Sequence, residues 1–319
     1  MKAAVVRALG VPPRCEEFPE PIAGEHEVVV EVRAAALKPV DKQLAGGSHY
    51  AKSRDLPLVS GSDGVGLLSD GRRVFFGGCR SPFGSMAERT VVPRTFTFAV
   101  PEGLSDELAA ALPNPGVSAW LTLTYRAKLV AGEKVLILGA TGITGKLAVR
   151  IAKLLGAVRV VAAGRNPEIL DSLCQFGADA IIRLDAPAKE LEEAFRREFN
   201  ESGFQVVIDY VWGKPTESFL AAVTAKEFAP IKSETRLVQV GESAGSTISL
   251  PAAVLRSAAL TILGTAGIPP HDVLSDALHR VLSCAANGEL LIDTDRVPLA
   301  EIEGFWGRSS AGRRLVVIP

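Results

Sequence analysis

The stretch that decides the fold reads Val135-Leu136-Ile137-Leu138-Gly139-Ala140-Thr141-Gly142-Ile143-Thr144-Gly145. Branched apolar residues lead directly into small ones, and apolar residues from Lys146 to Leu155 recur at helical spacing, which predicts a buried strand, a tight turn and a helix. The spacing Gly-x-x-Gly-x-x-Gly suits a dinucleotide, because glycines let a pyrophosphate approach the N–H groups of a helix N-terminus. A plain strand-to-helix turn carries the same glycines, so the motif alone leaves both interpretations open.

Beyond this stretch the chain alternates between strand and helix patterns. Alternation of this kind predicts parallel pairing with right-handed crossovers, and hence an α/β fold with a doubly wound parallel sheet of about six strands. The predicted strands are Val135 to Leu138, Val158 to Ala162, Ala180 to Ile182, Val206 to Asp209, Leu237 to Val240 and Leu260 to Leu263. In such a sheet the ligand lies at the carboxyl ends of the strands, where the glycines fall.

The first hundred residues predict an antiparallel β-rich unit with long loops. Its strands are expected at Ala3 to Arg7, Glu27 to Ala35, Arg72 to Phe76 and Glu88 to Val92. A last strand, Leu315 to Ile318, cannot stand alone and is expected to pair back into this unit. The predicted domains are therefore residues 1–118 with 267–319, and residues 119–266.

The connection between the two predicted domains is expected to be helical. Ser105 to Leu112 has the pattern of a helix with Ser105 as its N-cap. Pro113 and Pro115 are expected to break the chain, and a second helix to run from about Gly116 to Leu129. A later helix is predicted from His271 to Ala286.

Composition and charge exclude several classes of function. Of the 319 residues, 47% are hydrophobic and 22% charged, which is typical of a folded globular enzyme. The net charge of −1 leaves no basic excess for nucleic acid or an anionic membrane surface. The four cysteines form no Cys-x-x-Cys pair, and no apolar run reaches membrane-spanning length. These features predict a cytoplasmic protein without a disulfide framework, a nucleic-acid partner or a membrane span.

The residue that follows the second predicted strand of the sheet indicates which dinucleotide binds. NAD-binding sites of this type carry an acidic residue about 20 residues beyond the glycines, but the sequence here is Gly164-Arg165-Asn166. Arginine can form charge-assisted hydrogen bonds with a 2′-phosphate, which favours NADPH, although a solvated surface arginine fits the same position. The residues expected to hold the dinucleotide are Gly139, Ala140, Thr141, Gly142, Ile143, Thr144, Gly164, Arg165 and Asn166.

Six further short motifs accompany the glycine turn. They are Gly61-Ser62-Asp63-Gly64-Val65-Gly66, Gly84-Ser85-Met86-Ala87-Glu88, Ala109-Ala110-Ala111-Leu112-Pro113, Phe176-Gly177-Ala178-Asp179, Val206-Val207-Ile208-Asp209 and Val238-Gln239-Val240-Gly241. In their order and spacing, the seven motifs resemble the zinc-independent quinone oxidoreductases of the medium-chain dehydrogenase/reductase superfamily, which are related to zeta-crystallin. The resemblance implies a GroES-like β-rich domain, completed by the C-terminus, beside a Rossmann domain.

The same resemblance implies a reaction without a metal. In zinc-dependent alcohol dehydrogenases, three ligands fall at positions that correspond to Lys38, Ser62 and Pro115, none of which is a good zinc ligand. The expected chemistry is hydride transfer from NADPH to a quinone or an α,β-unsaturated carbonyl. An enoyl-thioester reductase, and an NADPH-binding structural or regulatory module with little turnover, remain alternatives.

Three residues are candidates for catalysis: Lys38, Asp41 and Tyr50. Related quinone reductases carry asparagine at the position of Lys38, so this residue is a departure. Its ammonium would stabilise a developing oxygen anion in the acceptor, or it would pair with Asp41 or face solvent. Tyr50 is the favoured stacking residue among three aromatics, the others being Phe83 and Trp212, and a place in the core or the pocket wall is the alternative for each.

By resemblance, three further residues would hold the cofactor. Ser118 would lie beside the nicotinamide ribose or else cap a helix, Gly241 would close over the nicotinamide, and Arg308 would hold the 2′-phosphate, with Arg313 and Arg314 as competitors. Leu184 stands where related proteins can carry a tyrosine. The stretch from Leu255 to Leu263 resembles the edge through which family dimers pair their sheets, so a homodimer is expected.

Overall fold

A computed structural model of the chain describes residues 1–48, 55–199, 202–224, 233–265, 267, 269–308 and 312–319. The chain divides into two compact units. The β-rich unit comprises Met1–Asn114 and Leu278–Pro319, and the parallel-sheet unit comprises Pro115–Ala277. The boundaries expected after residues 118 and 266 thus lie elsewhere, and residues 115–118 and 267–277 belong to the parallel-sheet unit.

The described elements alternate between strands and helices from Lys134 onward. The strands are β1 Lys2–Val6, β2 Arg14–Glu17, β3 Glu27–Ala36, β4 Leu58–Val59, β5 Asp63–Leu67, β6 Arg73–Gly77, β7 Arg89–Pro93, β8 Thr97–Ala99, β9 Lys134–Leu138, β10 Arg159–Gly164, β11 Ala180–Arg183, β12 Val206–Asp209, β13 Thr235–Gln239, β14 Leu260–Gly264, β15 Thr294–Pro298 and β16 Arg314–Ile318. The helices are α1 Pro39–Gly46, α2 Asp106–Ala111, α3 Pro113–Leu121, α4 Ile143–Leu154, α5 Pro167–Ser172, α6 Ala188–Phe199, α7 Gly213–Val223, α8 Ala252–Ser257, α9 His271–Ala286 and α10 Ile302–Trp306.

The parallel-sheet unit contains the predicted doubly wound sheet. Its six strands lie in the order β11-β10-β9-β12-β13-β14, and every neighbouring pair is parallel. All residues of β9 are buried, as expected of a strand covered on both faces. The strand order reverses at β9, because β10 lies on one side of it and β12 on the other. The glycine turn that follows β9 therefore stands at the point where such sheets bind ligands.

The β-rich unit contains a seven-stranded sheet and a three-stranded sheet. The larger follows the order β15-β16-β3-β5-β6-β8, with β7 also paired to β3, and the smaller follows β2-β1-β4. The C-terminal strand β16 pairs antiparallel with β3, Val316 opposite Ala36. The prediction that the last strand returns to the N-terminal unit is thereby confirmed.

Of the two connecting helices, the first begins where predicted and the second begins earlier. Ser105 caps α2 as expected, its hydroxyl accepting from the backbone N–H of Leu108 at 3.2 Å. The expected break is present before Pro113, because α2 ends at Ala111, but it is wrong at Pro115, because α3 begins at Pro113 and continues to Leu121. Prolines are tolerated there because first-turn N–H groups have no partner within the helix. A π-helical segment, Thr122–Arg126, follows. Among the described helices none is both long enough and apolar enough to cross a bilayer.

Candidate functional site

The glycine turn after β9 has the backbone shape that its sequence predicts. Gly139 has φ of 88°, in the left-handed region that favours glycine. Its N–H and that of Ala140 both donate to the carbonyl of Ala163 on β10, at 2.9 and 2.8 Å. The chain is thus held at the end of β10 while it turns into α4.

Close backbone contacts explain two further glycines at this turn. A Cβ on Gly145 would overlap the carbonyl oxygen of Gly139 and lie 2.7 Å from the Cα of Ala140. A Cβ on Gly164 would overlap the side chain of Thr141. Gly145 therefore lets α4 pack against the end of β9, and Gly164 lets the turn pack against β10.

The N-terminus of α4 is suited to an anion. Gly142 is its N-cap and supplies no side-chain hydrogen bond to the first turn. The N–H groups at the start of a helix otherwise lack acceptors, and the positive end of the helix dipole favours negative charge there. A Cβ on Gly142 would project into a space whose nearest neighbour is the carbonyl of Gly139 at 3.6 Å. These features fit a dinucleotide pyrophosphate.

Arg165 follows β10 directly and is exposed. The neighbouring strand β11 ends at Arg183, which stands opposite Gly164 in the parallel register. Arg183 pairs with Asp185 through two hydrogen bonds of 2.8 and 2.6 Å. The Arg183 guanidinium holds the pKa of the Asp185 carboxyl below its usual value, and Arg165 adds a smaller effect in the same direction. Two cations therefore stand at adjacent strand ends beside the glycine turn.

Asn166 has a local structural role. Its side-chain oxygen accepts from the backbone N–H of Ile169 at 3.0 Å, so it is the N-cap of α5. Capping fixes the position of the segment that carries Arg165. Its expected contact with the cofactor stays a prediction.

A second glycine of the predicted cofactor site, Gly241, follows β13. A Cβ there would lie 2.7 Å from the carbonyl oxygen of Tyr210. Nearby, the buried Asp209 carboxylate accepts from the N–H groups of Val211 and Trp212 at 2.9 and 2.8 Å. The same carboxylate accepts from the hydroxyl of Thr216 at 2.5 Å. Asp209 thus fixes the backbone at the carboxyl end of β12.

The structure decides between the interpretations that the sequence left open for Trp212 and excludes one of those for Ser118. Ser118 lies inside α3 rather than at the start of a helix, so the capping interpretation is wrong. Its carbonyl accepts from the hydroxyl of Thr122 at 2.7 Å. Trp212 packs against the core of the parallel-sheet unit, which supports its interpretation as a core residue. Leu184 is buried in the same core.

The three C-terminal arginines have different surroundings. The Arg308 guanidinium lies 4.1 Å from the ring centre of Phe305, and the residue is exposed. Arg313 pairs with Asp295 at 2.7 Å. Arg314 is buried and donates to the carbonyl of Leu37 at 3.1 Å. Arg314 is buried and Arg313 has an acidic partner, whereas the expected contact of Arg308 with a 2′-phosphate stays a prediction.

Lys38 is buried in a cluster of charges. Its side chain is 1% exposed, and its ammonium lies 3.0 Å from the carbonyl of Ala36, 2.9 Å from Oδ1 of Asp63 and 3.3 Å from Oδ2 of Asp41. Three acceptors match the three N–H groups of an ammonium. Of the sequence interpretations, pairing with Asp41 is therefore observed, with Asp63 as a second partner.

The titration behaviour of this cluster follows from its burial. Burial alone would lower the pKa of Lys38, but the carboxylates of Asp41 and Asp63 outweigh it and hold that pKa above its usual value. Burial raises the pKa of Asp63, with Lys38 opposing the rise. Burial also lowers the pKa of Arg314, which the same two carboxylates oppose. The ammonium of Lys38 is thus a fixed cation between two carboxylates.

A pocket of about 280 Å³ opens next to this cluster within the β-rich unit. Its polar floor includes Asp41, Ser62 and Cys79, and Ser62 donates to Oδ1 of Asp41 at 2.7 Å. Its apolar walls include Phe83, whose predicted place in a pocket wall is thereby observed. Tyr50 lies outside the described residues. The apolar lining residues are Leu44, Ala45, Leu58, Val59, Pro82 and Phe83.

The thiol of Cys79 is expected to be unreactive. Burial raises its pKa to about 12, so at pH 8 only about one thiol in ten thousand is the nucleophilic thiolate. Alkylation with iodoacetamide at pH 8, followed by peptide mass spectrometry, should label the exposed Cys174 and leave Cys79 unmodified. Equal labelling rates at the two cysteines would contradict this expectation.

Sequence reasoning missed several residues of these sites. Asp63 was visible only within the motif Gly61-Ser62-Asp63-Gly64-Val65-Gly66, and a carboxylate in a glycine-rich motif was the available signal, since β5 was not among the predicted strands. Arg183 could have been found as the basic residue that ends the strand after Arg165. Arg314 carried no signal beyond being one of several C-terminal arginines.

A family model described as "Zinc-binding dehydrogenase" matches residues 144–283. The matched range lies within the parallel-sheet unit and helix α9, which begins in that unit and extends beyond it, and the range includes neither Lys38 nor Ser62. The match therefore concerns the sheet and not the residues at the zinc-ligand positions.

Named relatives and a solved structure match more of the chain. "Quinone oxidoreductase-like protein 2" from Bos taurus is 30% identical over 265 residues, covering 80% of this chain and 72% of that protein. "Trans-enoyl reductase pgmF" from Aspergillus terreus is 32% identical over 221 residues, covering 62% and 58%. The quinone oxidoreductase from Thermus thermophilus, solved alone and with NADPH, is 31% identical, with a TM-score of 0.81 and 100% of both chains covered.

Proposed function

Because this chain belongs to the quinone oxidoreductase family of the medium-chain dehydrogenase/reductase superfamily, we propose that it reduces a quinone or an α,β-unsaturated carbonyl with NADPH. The observation that carries the choice of cofactor is the glycine turn followed by Arg165. An arginine at the end of β10 has the charge that a 2′-phosphate needs, where an NAD site would carry an acid. The solved relative that binds NADPH supports the same choice.

The residues of the glycine turn and of its neighbouring strands would hold NADPH, which supplies a hydride when bound. The N–H groups at the start of α4 would bind the pyrophosphate. Arg165 would bind the 2′-phosphate, with Arg183 close by. Gly164 and Gly241 keep the turn and the end of β12 closely packed, so that the backbone donors are already oriented before the cofactor arrives.

The pocket next to Lys38 would hold the molecule that is reduced. Its apolar walls suit a small planar body, and its floor offers few polar atoms. We propose that Lys38 positions Asp41 and Ser62 and does not touch the substrate, because its three donors are already occupied. In this proposal, the lysine that stands in place of the asparagine of related quinone reductases supports the floor of the pocket.

We propose that the reaction needs no zinc. The ammonium of Lys38 lies between the carboxylates of Asp41 and Asp63, so a divalent cation there would have to displace a paired cation. Within the part of the chain that the structure describes, no group of three or more His, Cys, Asp or Glu residues is placed to hold a metal. Stoichiometric, tightly bound zinc in the purified protein would contradict this proposal.

Steady-state oxidation of NADPH tests the proposed activity. The panel contains a quinone series, an enone series and a crotonyl thioester. Turnover with the quinones or enones is expected. Preference for the thioester would favour an enoyl-thioester reductase, an alternative supported by the similarity to a trans-enoyl reductase. Tight NADPH binding without any turnover would favour a structural or regulatory module.

We also propose a homodimer that pairs through the region of α8 and β14. Strand β14 is at the edge of the parallel sheet, and Leu255 on α8 is 50% exposed. Leu255→Asp is expected to raise the dimer Kd at least tenfold, because a buried unpaired charge costs more than about 1.4 kcal/mol. Leu291→Asp is the matched control, since Leu291 is 55% exposed on the β-rich unit.

Light scattering at micromolar concentrations measures the effect. A monomeric wild-type protein, or an equal shift in both variants, would contradict the proposed interface. The cytoplasmic location expected from the sequence stays a prediction.

A further inference from the structure

The hydrogen bonds of Asp41 fix the direction in which Ser62 can donate. Oδ2 of Asp41 accepts from the backbone N–H of Lys38 at 2.8 Å and faces the Lys38 ammonium at 3.3 Å. Oδ1 accepts from the hydroxyl of Ser62 at 2.7 Å. A carboxylate that neutralises an ammonium has no hydrogen to give, so Ser62 must be the donor.

A serine hydroxyl has one hydrogen and two lone pairs. Because Asp41 takes the hydrogen of Ser62, only the lone pairs of its oxygen remain for a ligand. Ser62 is half-buried and lines the pocket, whereas the side chain of Asp41 is fully buried. The polar floor of the pocket therefore presents an acceptor at Ser62.

Neither Lys38 nor Cys79 reverses the polarity of the Ser62 hydroxyl. The Lys38 ammonium already has three acceptors within 3.3 Å. The thiol of Cys79 faces the carbonyl of Ser62 at 3.8 Å and is at most a weak donor. At Oγ of Ser62 a ligand carbonyl would meet lone pairs, whereas a ligand hydroxyl would meet a fixed acceptor.

We propose that this pocket binds small, mainly apolar molecules through a hydroxyl group that donates to Oγ of Ser62. Alcohols and phenols are thus preferred over ketones and ethers of the same skeleton. The inference rests on the proposed function in one respect only, namely that this pocket holds the molecule that is reduced. For a quinone reductase it means that the hydroquinone, which carries hydroxyl groups, is held at Ser62 more tightly than the quinone.

A matched pair of ligands tests the preference directly. The Kd values of 1-phenylethanol and acetophenone are measured by titration calorimetry or ligand-observed NMR on the whole protein without NADPH. The alcohol is expected to bind about 2- to 12-fold more tightly, the range of one net hydrogen bond. Equal affinity, or a preference for the ketone, would overturn the inference.

Asp41→Asn makes the sharper test, because it should reverse the preference. The amide oxygen would take the place of Oδ2 facing Lys38, and the amide nitrogen would donate to Ser62. The hydroxyl hydrogen of Ser62 would then point to the ligand and favour acetophenone. A folded Asp41→Asn protein that still prefers the alcohol would contradict the inference.

Two serine variants keep the test decisive if Asp41→Asn fails to fold. Ser62→Ala removes the acceptor and should bring the ratio of the two Kd values close to one. Ser81→Ala removes another serine hydroxyl from the same pocket and should leave the ratio unchanged. An unchanged ratio in Ser62→Ala would overturn the inference. Since neither NADPH nor turnover is needed, failure of the proposed activity would show separately in the NADPH oxidation panel.

Discussion

Replacing Arg165 with glutamate is expected to raise the Kd for NADPH by about 10- to 150-fold, the equivalent of losing charge-assisted hydrogen bonds to a phosphate. The Kd for NADH should stay the same or fall, because glutamate can accept from a ribose 2′-hydroxyl. The two Kd values are expected to change differently because Arg165 is exposed at the end of β10, beside the glycine turn. Fluorescence titration with each cofactor measures both constants.

Two further arginine variants provide the controls. Arg256→Ala removes an exposed arginine from α8, just before the opposite edge strand β14, and should change neither constant. Arg183→Ala should have a smaller effect than Arg165→Glu, because Arg183 is already paired with Asp185. Equal loss of NADPH and NADH binding in Arg165→Glu would indicate damage to the fold instead of a lost phosphate contact.

Replacing Lys38 with methionine is expected to lower the free energy of unfolding by about 3–5 kcal/mol at pH 7.5, the cost of removing one partner from a buried ion pair. Asp41 and Asp63 would be left buried with Arg314 as the remaining cation nearby. Urea denaturation of the wild type and the variant gives the difference. Lys42→Met, on the same helix but with a more exposed ammonium, should change stability by less than about 0.5 kcal/mol.

The loss in Lys38→Met should shrink as the pH falls. Burial already raises the pKa of Asp63 in the presence of Lys38, and removing the cation raises it further. A carboxyl whose pKa is higher in the folded state binds protons on folding, so stability increases as the pH is lowered through that pKa. We expect a smaller difference between variant and wild type at pH 5 than at pH 7.5. The same difference at both pH values would contradict the assignment of the cost to unpaired carboxylates.

The parallel sheet was predictable because its signals are local. Apolar runs such as Val135 to Leu138 and the glycines after them determine strand and turn within a few residues. The C-terminal strand could be assigned to the β-rich unit because a single strand needs a partner. Its pairing with β3 in particular, and the register of that pair, did not follow from this argument.

The charge cluster was not predictable because its partners are far apart in the chain. Asp63 is 25 residues from Lys38, and Arg314 is 277 residues from Leu37, whose carbonyl it contacts. No local sequence pattern indicates that these side chains lie close together. The sequence therefore left pairing, catalysis and solvent exposure equally open for Lys38.

The early start of α3 shows a different limit. Prolines are read as helix breakers because they remove an interior hydrogen bond. Pro113 and Pro115 instead occupy the first turn, where the missing N–H groups have no cost. Whether a proline breaks a helix or lies in its first turn depends on where the helix begins. Sequence patterns define that position poorly.

The most direct test of the proposed reaction follows deuterium from the cofactor into the product. Protein treated with a strong chelator is incubated with NADPH deuterated at both C4 positions and with the best enone from the panel, and the product is analysed by mass spectrometry. Metal-free hydride transfer to an enone predicts a product that gains one deuterium, at a rate unchanged by the chelator. A product without deuterium, or a rate abolished by chelation and restored by zinc, would contradict it.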